Sequence, residues 1–320
     1  MGMRVLEEKV FSRRGIEVRG VNLIKVYRRG PMEVQALKGV SIGFEPGRLY
    51  VVMGPSGSGK TTLMNLLGGV DRPTGGQVYH GEVRVDLMSD TELDDHRLDY
   101  VGFVFQTINL IPTLTAKDNV ELPLLFKKVP RGERERRVGL LLEAMGLKDR
   151  MDHKPGELSG GEQQRVAIAV ALANDPPIII ADEPTAELDY ENARKIIDIL
   201  HSLAVRHGKT VIVTTHDPRI AIRADRIIRL EDGVIKGEFT PVEVEEAYTP
   251  TQVREAAGSH IHALANVVRA RLARVQEEIS QLHEKVRRGE ISLEEAFNVY
   301  QDLERQKRAL EDLLASMGGG

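Results

Sequence analysis

The chain has no cysteine and no tryptophan, and its aromatic residues amount to only 4%. Without cysteine it has no disulfide, no thiol nucleophile and no cysteine metal site, the pattern of an intracellular protein. Its nine histidines fall at no metal-ligand spacing. No apolar run reaches the roughly 18 residues of a bilayer crossing; the best approach, Val166 to Ala181, is broken by Asn174, Asp175, Pro176 and Pro177. The opening MGMRVLEEKVFSRRG lacks the apolar stretch of a secretory signal and carries both charge signs. A net charge of -4 gives no global attraction to nucleic acid, which is not an expected partner.

What is present is ample for a folded protein. With 320 residues, 41% hydrophobic and 29% charged, the chain can bury one large or two medium cores. Strand-like patterning runs from Ile16 to Met53 and ends in LYVVM, after which a glycine-rich turn opens a helix at Thr61 to Leu67. Two more buried strands read as PIIIAD, residues 177 to 182, and TVIVTTH, residues 210 to 216. Continuous Ile/Val runs of this kind belong to parallel strands covered on both faces, so an α/β architecture is expected. From about 102 to 173 the character is helical, and a helical lobe is expected there.

After Glu238 the pattern changes. Apolar residues recur at Ile261, Val268, Val275 and Leu282, with Ala265, Leu272, Ile279 and Val286 between them, a heptad repeat held for nearly four turns of the pattern. Gly289 ends it, Ser292 and Glu295 form a capping box, and Leu293, Phe297, Tyr300, Leu303, Leu310 and Leu314 stripe a second helix. The expected division is therefore an N-terminal extension at 1–16, an α/β unit at 17–240, and a C-terminal helical hairpin at 249–320, whose apolar faces must be buried against each other, the α/β unit or another subunit. The expectation is that the hairpins of two copies meet and hold them together without a ligand, a passive stabilising extension being the alternative.

Three motifs carry chemistry. GPSGSGKT, residues 54 to 61, follows a strand and precedes a helix, the required setting of a phosphate-binding loop. Along Gly54, Pro55, Ser56, Gly57, Ser58 and Gly59 the glycines let successive N–H groups, of which Pro55 has none, converge on the phosphates; Lys60 reaches the outer phosphates, and the Thr61 hydroxyl serves Mg2+, with Thr62 beside it. A nucleoside triphosphate with Mg2+ is thus the expected ligand, and ATP is the one that the resemblance described below implies. At the end of IIIADE, Asp182 is placed to hold the metal through water and Glu183 to act as general base; His216 ends a neighbouring strand at the same sheet edge. SGGEQQR, residues 159 to 165, places Ser159 as an N-cap with Glu162 completing a capping box, but a cap leaves Gly160 and Gly161 unexplained. Each glycine costs about 1 kcal/mol inside a helix, whereas a bare helix start is what a phosphate needs if it is to touch free amides.

GPSGSGKTT, ELSGGEQQR, IIIADEPT and TTHD, in this order, resemble the nucleotide-binding subunit of an ATP-binding-cassette (ABC) transporter over about Gly20 to Gly237. Eight residues such as LSGGEQQR recur by chance on the order of 10⁻⁹. LMNLLGGVDRPTGG, GFVFQTINLIPTLTAKDNVELPL and DHKPGELSGGEQQRVAIA are similar to the macrolide-efflux and lipoprotein-release branch. The resemblance implies a P-loop NTPase of ABC type: a mainly parallel sheet, an antiparallel β part and a helical subdomain. It implies an ATPase that binds a separate membrane permease at the cytoplasmic face and dimerises with a second copy of itself on ATP. Tyr27 would stack on adenine; Gln106 would sense the γ-phosphate and the metal; His216 would contact the γ-phosphate. Ser159, Gly160 and Gly161 would meet ATP held by the other subunit, with Gln163 and Asp189 in the nucleotide-contacting set. Val170, Ala186 and Glu187 depart from the residues commoner in relatives, and VYHGEVRVDLMSD departs from the usual hairpin. A mechanical or regulatory ATPase of the same fold is the alternative the resemblance leaves open.

Overall fold

A computed structural model describes residues 11–30, 32–247, 278, 279, 282 and 303. The first compact unit spans Met1–Ala247 and the second Tyr248–Gly320. In chain order the first carries β1 (Val18–Arg29), β2 (Met32–Phe44), β3 (Leu49–Met53), α1 (Lys60–Leu67), β4 (Gly75–His80), β5 (Val83–Arg84) and α2 (Asp90–Tyr100). There follow β6 (Val101–Val104), α3 (Ala116–Phe126), α4 (Arg131–Ala144), α5 (Gly160–Ala171), β7 (Ile178–Ala181), α6 (Tyr190–Val205) and β8 (Thr210–Thr215). A short α7 (Pro218–Ala221), the strands β9 (Arg226–Glu231) and β10 (Val234–Phe239), and α8 (Pro241–Ala247) complete it.

These strands make two sheets. One is antiparallel, ordered β2-β1-β4-β5; the other is ordered β10-β9-β3-β8-β7-β6, parallel except for the β9–β10 hairpin. LYVVM is buried at all five positions, as a strand covered on both faces must be. Its alternation divides the interior: Leu49, Val51 and Met53 face one core with α3, α4, α5 and α6, while Tyr50 and Val52 face a second with α1 and the antiparallel sheet. The α/β expectation with a mainly parallel sheet is met.

One expectation needs correcting. The stretch expected to turn helical from about residue 102 opens with a strand, because VGFV pairs with Ile178–Ala181 and buries Gly102 and Val104. Gly102 is needed there, since a Cβ would lie 2.5 Å from the Ala171 carbonyl oxygen. Helices begin only at Ala116. Of the C-terminal hairpin, all but Glu278, Ile279, Leu282 and Leu303 lies outside the described residues; within that unit Ile279 and Leu303 are buried together, with Leu282 packed on them.

Candidate functional site

The site is built at the C-terminal ends of the parallel strands. β3 runs into the phosphate loop, where Gly59 stands at φ 102°, left-handed, in the N-cap position of α1. Its missing Cβ lets the loop pass the Ala36 carbonyl, which a Cβ would approach to 2.6 Å. Lys60 is nearly buried and donates to the carbonyl oxygens of Gly54 and Pro55 at 2.8 and 3.2 Å. Its Nζ also lies 3.6 Å from Oε1 of Glu183.

Glu183 is the conformational outlier of this edge. Its φ is 47°, a left-handed value that costs a side-chain-bearing residue on the order of 1 kcal/mol or more and that recurs at functional sites. The turn takes Glu183 out of the line of β7 and brings its Oε2 to 2.9 Å from Nδ1 of His216. Asp182, only 4% exposed, continues the strand: its amide donates to the Val104 carbonyl at 2.9 Å. Thr214 of β8 donates its hydroxyl to Asp182 Oδ1 at 2.6 Å and accepts the Glu183 amide at 2.7 Å.

Lys60, Glu183 and His216 border a cavity of about 800 Å3, whereas Asp182 and Thr214 lie behind its lining. Tyr27, Pro55, Ser56, Gly57, Gly59, Lys60, Thr61, Thr62, Gln106, Glu183 and His216 all line it. Gly54 and Ser58 sit beneath the loop instead: a Cβ on Gly54 would strike the Leu230 carbonyl at 2.0 Å, and the Ser58 carbonyl accepts the Gly233 amide. At the far end the Tyr27 hydroxyl donates to Asp71 at 3.1 Å, and Lys25 bonds the same carboxylate at 2.7 Å. Sequence reasoning missed Gln35, Ala36, Lys38, Asp232 and Gly233, which close the cavity from β2 and the β9–β10 turn. Nothing in those residue types marks a ligand; only the pairing of distant segments, as in the bond from the Lys38 amide to the Gly233 carbonyl, brings them there.

Ser159, Gly160, Gly161, Gln163 and Asp189 do not line this cavity. They form a second cluster. Ser159 caps α5 in a complete capping box, its amide and hydroxyl both donating to Glu162 at 2.8 Å. Those two bonds from Ser159, with Arg150 at 3.2 Å, hold the Glu162 carboxyl down to about 2. Gln163 turns its amide to the Leu158 carbonyl. Asp189 caps α6 and holds Asn192, whose side chain stands 3.2 Å from where a Gly161 Cβ would be. Gly161 thus has a packing reason, whereas Gly160, where a Cβ would meet Leu188 at an ordinary 3.7 Å, has none and stays exposed with Ser159 at the helix start.

The oxygen donors here suit a hard cation shared with a phosphate: the Thr61 hydroxyl and the Gln106 amide oxygen line the cavity, and the Asp182 carboxylate stands behind it, next to Glu183 in the chain. Among the described residues no cluster of three His, Cys, Asp or Glu could hold a metal by itself, so phosphate oxygens and water would have to complete its shell.

Comparison with known proteins matches residues 37–186 to the ABC transporter family. The chain is 48% identical over 221 residues to the ABC transporter ATP-binding protein MJ0796 of Methanocaldococcus jannaschii, covering 68% of this chain and 94% of that protein. It is 41% identical over 258 residues to the macrolide export ATP-binding/permease protein MacB of Brucella melitensis, covering 80% of this chain and 40% of that protein. Among solved structures it is similar to the dimeric post-hydrolysis state of the MJ0796 cassette bound to ADP and Pi, with a TM-score of 0.66 and 46% identity over 70% of this chain and 98% of that one.

Proposed function

The chain belongs to the family of ABC transporter ATP-binding proteins, and from that premise we propose that it powers a separate membrane permease from the cytoplasmic face through an ATP-sandwich dimer. Each ATP lies in the 800 Å3 cavity of one subunit, its base on Tyr27 and its phosphates on the loop from Gly54 to Thr62. Ser159, Gly160 and Gly161 of the other subunit meet the γ-phosphate, with Gln163 and Asp189 beside them. The observation that carries this reading is the separation of the two clusters: one cavity gathers the phosphate loop, Gln106, Glu183 and His216, and leaves the exposed start of α5 outside it.

Within the site Glu183 is the general base. Its carboxylate reaches the cavity between Lys60 and His216, where it can take a proton from a water attacking the terminal phosphate. His216 orients that carboxylate and contacts the γ-phosphate. Lys60 steadies the outer phosphates by charge. Thr61, Gln106 and Asp182 hold Mg2+, which when bound neutralises charge on the phosphate oxygens. Lys60 and Thr61 open the helix after β3, His216 follows β8, Asp182 and Glu183 follow β7 and Gln106 lies just beyond β6, so four adjacent strands of one sheet hold these groups.

The test uses one trapped state. Glu183→Gln should lower ATP turnover by roughly 100-fold or more, and with Mg2+ it should retain ATP through rapid gel filtration, occluded between two subunits. Adding Ser159→Arg to that variant should abolish the retention. Wild-type turnover in Glu183→Gln, or undiminished retention in the double variant, overturns the assignment.

A further inference from the structure

We infer that Thr214 is a positioning residue for hydrolysis: its one hydroxyl holds the backbone of one of the two acids that end β7 and the side chain of the other. The inference rests on the roles proposed for Asp182 and Glu183. Successive amides of a strand point to opposite neighbours. The Asp182 amide is taken by Val104 of β6, so the Glu183 amide points toward β8. There the main-chain ladder has ended, because Glu183 leaves the strand at φ 47°. The Thr214 hydroxyl oxygen stands in for the missing carbonyl and accepts that amide at 2.7 Å.

The same hydroxyl then has one proton to give, and it gives it to Asp182 Oδ1 at 2.6 Å. That is the short range of a hydroxyl bonded to a carboxylate. Thr214 is 0% exposed, so solvent does not compete for either bond. Accepting from one acid's backbone leaves the proton directed at the other acid's side chain, and the two orientations are set together. With the hydroxyl gone, the Asp182 carboxylate is free to rotate, and the buried Glu183 amide loses its acceptor where the backbone is strained. Relaxation of that turn would carry the Glu183 carboxylate away from Lys60 and His216.

A merely structural threonine would be explained by its branched shape, which suits a strand. Thr214 shares the face of Ile212 and pairs with Val52, and valine would supply the same shape there. The hydroxyl is therefore separable from the packing, and Thr214→Val and Thr214→Ser separate it. In the full-length protein Thr214→Val should lower kcat about tenfold or more while KM for ATP stays within about twofold. Mn2+ affinity in the complex with a non-hydrolysable ATP analogue, read by electron paramagnetic resonance, should weaken several-fold, as it does when an outer partner of a metal ligand is removed. Thr214→Ser should retain kcat within about twofold of the parent.

Wild-type kcat and Mn2+ affinity in Thr214→Val overturn the inference, as does a Thr214→Ser protein as impaired as the valine variant. Should the valine variant fail to fold, Thr214→Ala set against Thr214→Ser makes the same comparison. Glu183→Gln in the same assay separates the two levels. Full turnover there removes the role of Glu183 itself, whereas a slow Glu183→Gln beside a fully active Thr214→Val removes only that of Thr214.

Discussion

The two ends of β7 each carry a buried acid held in a left-handed conformation, Asp175 before the strand at φ 54° and Glu183 after it at φ 47°. At Asp175 every direction is closed. Oδ2 accepts the Ser12 amide, the Ser12 hydroxyl and the Arg13 amide at 2.8 to 3.0 Å, and Oδ1 accepts Lys209, whose side chain is 0% exposed, at 2.5 Å. Burial pushes the Asp175 carboxyl up, but Lys209 and the two amides outweigh it and hold it below its ordinary value. At Glu183 the partners are fewer and looser: Lys60 is 3.6 Å away and already bonded to two carbonyls, and His216 is largely exposed. One acid is saturated by its own chain and ties the N-terminal segment to the sheet. The other faces a cavity with bonding capacity to spare. Burial and strain are common to both, so neither marks function; an incomplete set of partners beside a cavity does.

The sharpest way to break this comparison is Asp175→Asn. It leaves Lys209 charged and buried without its counter-ion and should cost about 3 to 5 kcal/mol in urea unfolding. Turnover per folded molecule should be unchanged, the mirror image of Glu183→Gln. A slow but fully stable Asp175→Asn protein would erase the distinction between the two ends.

A second closed cluster sharpens it through pH. His80 is 2% exposed, with Nε2 2.7 Å from the Leu67 carbonyl and Nδ1 2.8 Å from Nε2 of His96. The carbonyl requires a proton on Nε2, so Nδ1 accepts from His96 and the ring is neutral. Burial lowers His80 from 6.5 to about 4 despite the Leu67 carbonyl, with the neighbouring His96 adding to the fall; burial lowers His96 as well, against Asp99. Because the folded value lies below the unfolded one, the contribution of His80 is full above pH 6.5, shrinks as pH falls, and is lost by about pH 4. At roughly 1.4 kcal/mol per pH unit the loss is about 3 kcal/mol. Urea melts from pH 7 to 4 should show that slope, and His80→Asn should remove that share of it.

The smallest effect belongs to the exposed cluster. Ser159→Ala removes the cap of α5 and should cost about 1 kcal/mol. It should also let the Glu162 carboxyl rise from about 2 toward its ordinary range, as an NMR titration of that side chain would record. No rise would mean that the capping box contributes little in solution.

Much of this was legible in the residues. LYVVM, PIIIAD and TVIVTTH announce buried parallel strands by their apolar runs, and GPSGSGKT announces its loop by glycines and a lysine–threonine pair set between a strand and a helix. VGFV was not legible as a strand, because four residues at the head of a helical stretch carry too little pattern to separate the two periods. Thr214 looked like an ordinary strand residue, since its bonds reach back 31 and 32 positions to the acids. Lys209 and Asp175 are 34 positions apart, and a buried lysine looks in sequence like any surface one. The N-terminal extension at 1–16 carried no pattern to show where it sits; its residues from Phe11 onward are bonded to the α/β unit, through Ser12 and Arg13 to Asp175 and through the Ile16 carbonyl to Thr210.

The order β10-β9-β3-β8-β7-β6 puts β3 between two strands that come more than 150 residues after it. On a ribosome adding about 5 to 20 residues per second, the strand that carries the phosphate loop waits roughly 10 to 30 s for its first neighbour in the sheet. During that interval LYVVM has both hydrogen-bonding edges open and five apolar side chains uncovered, the features of a segment prone to aggregate. The nucleotide site is therefore among the last parts of the nascent chain to form. Its central strand is the one that most needs shelter while the rest is made.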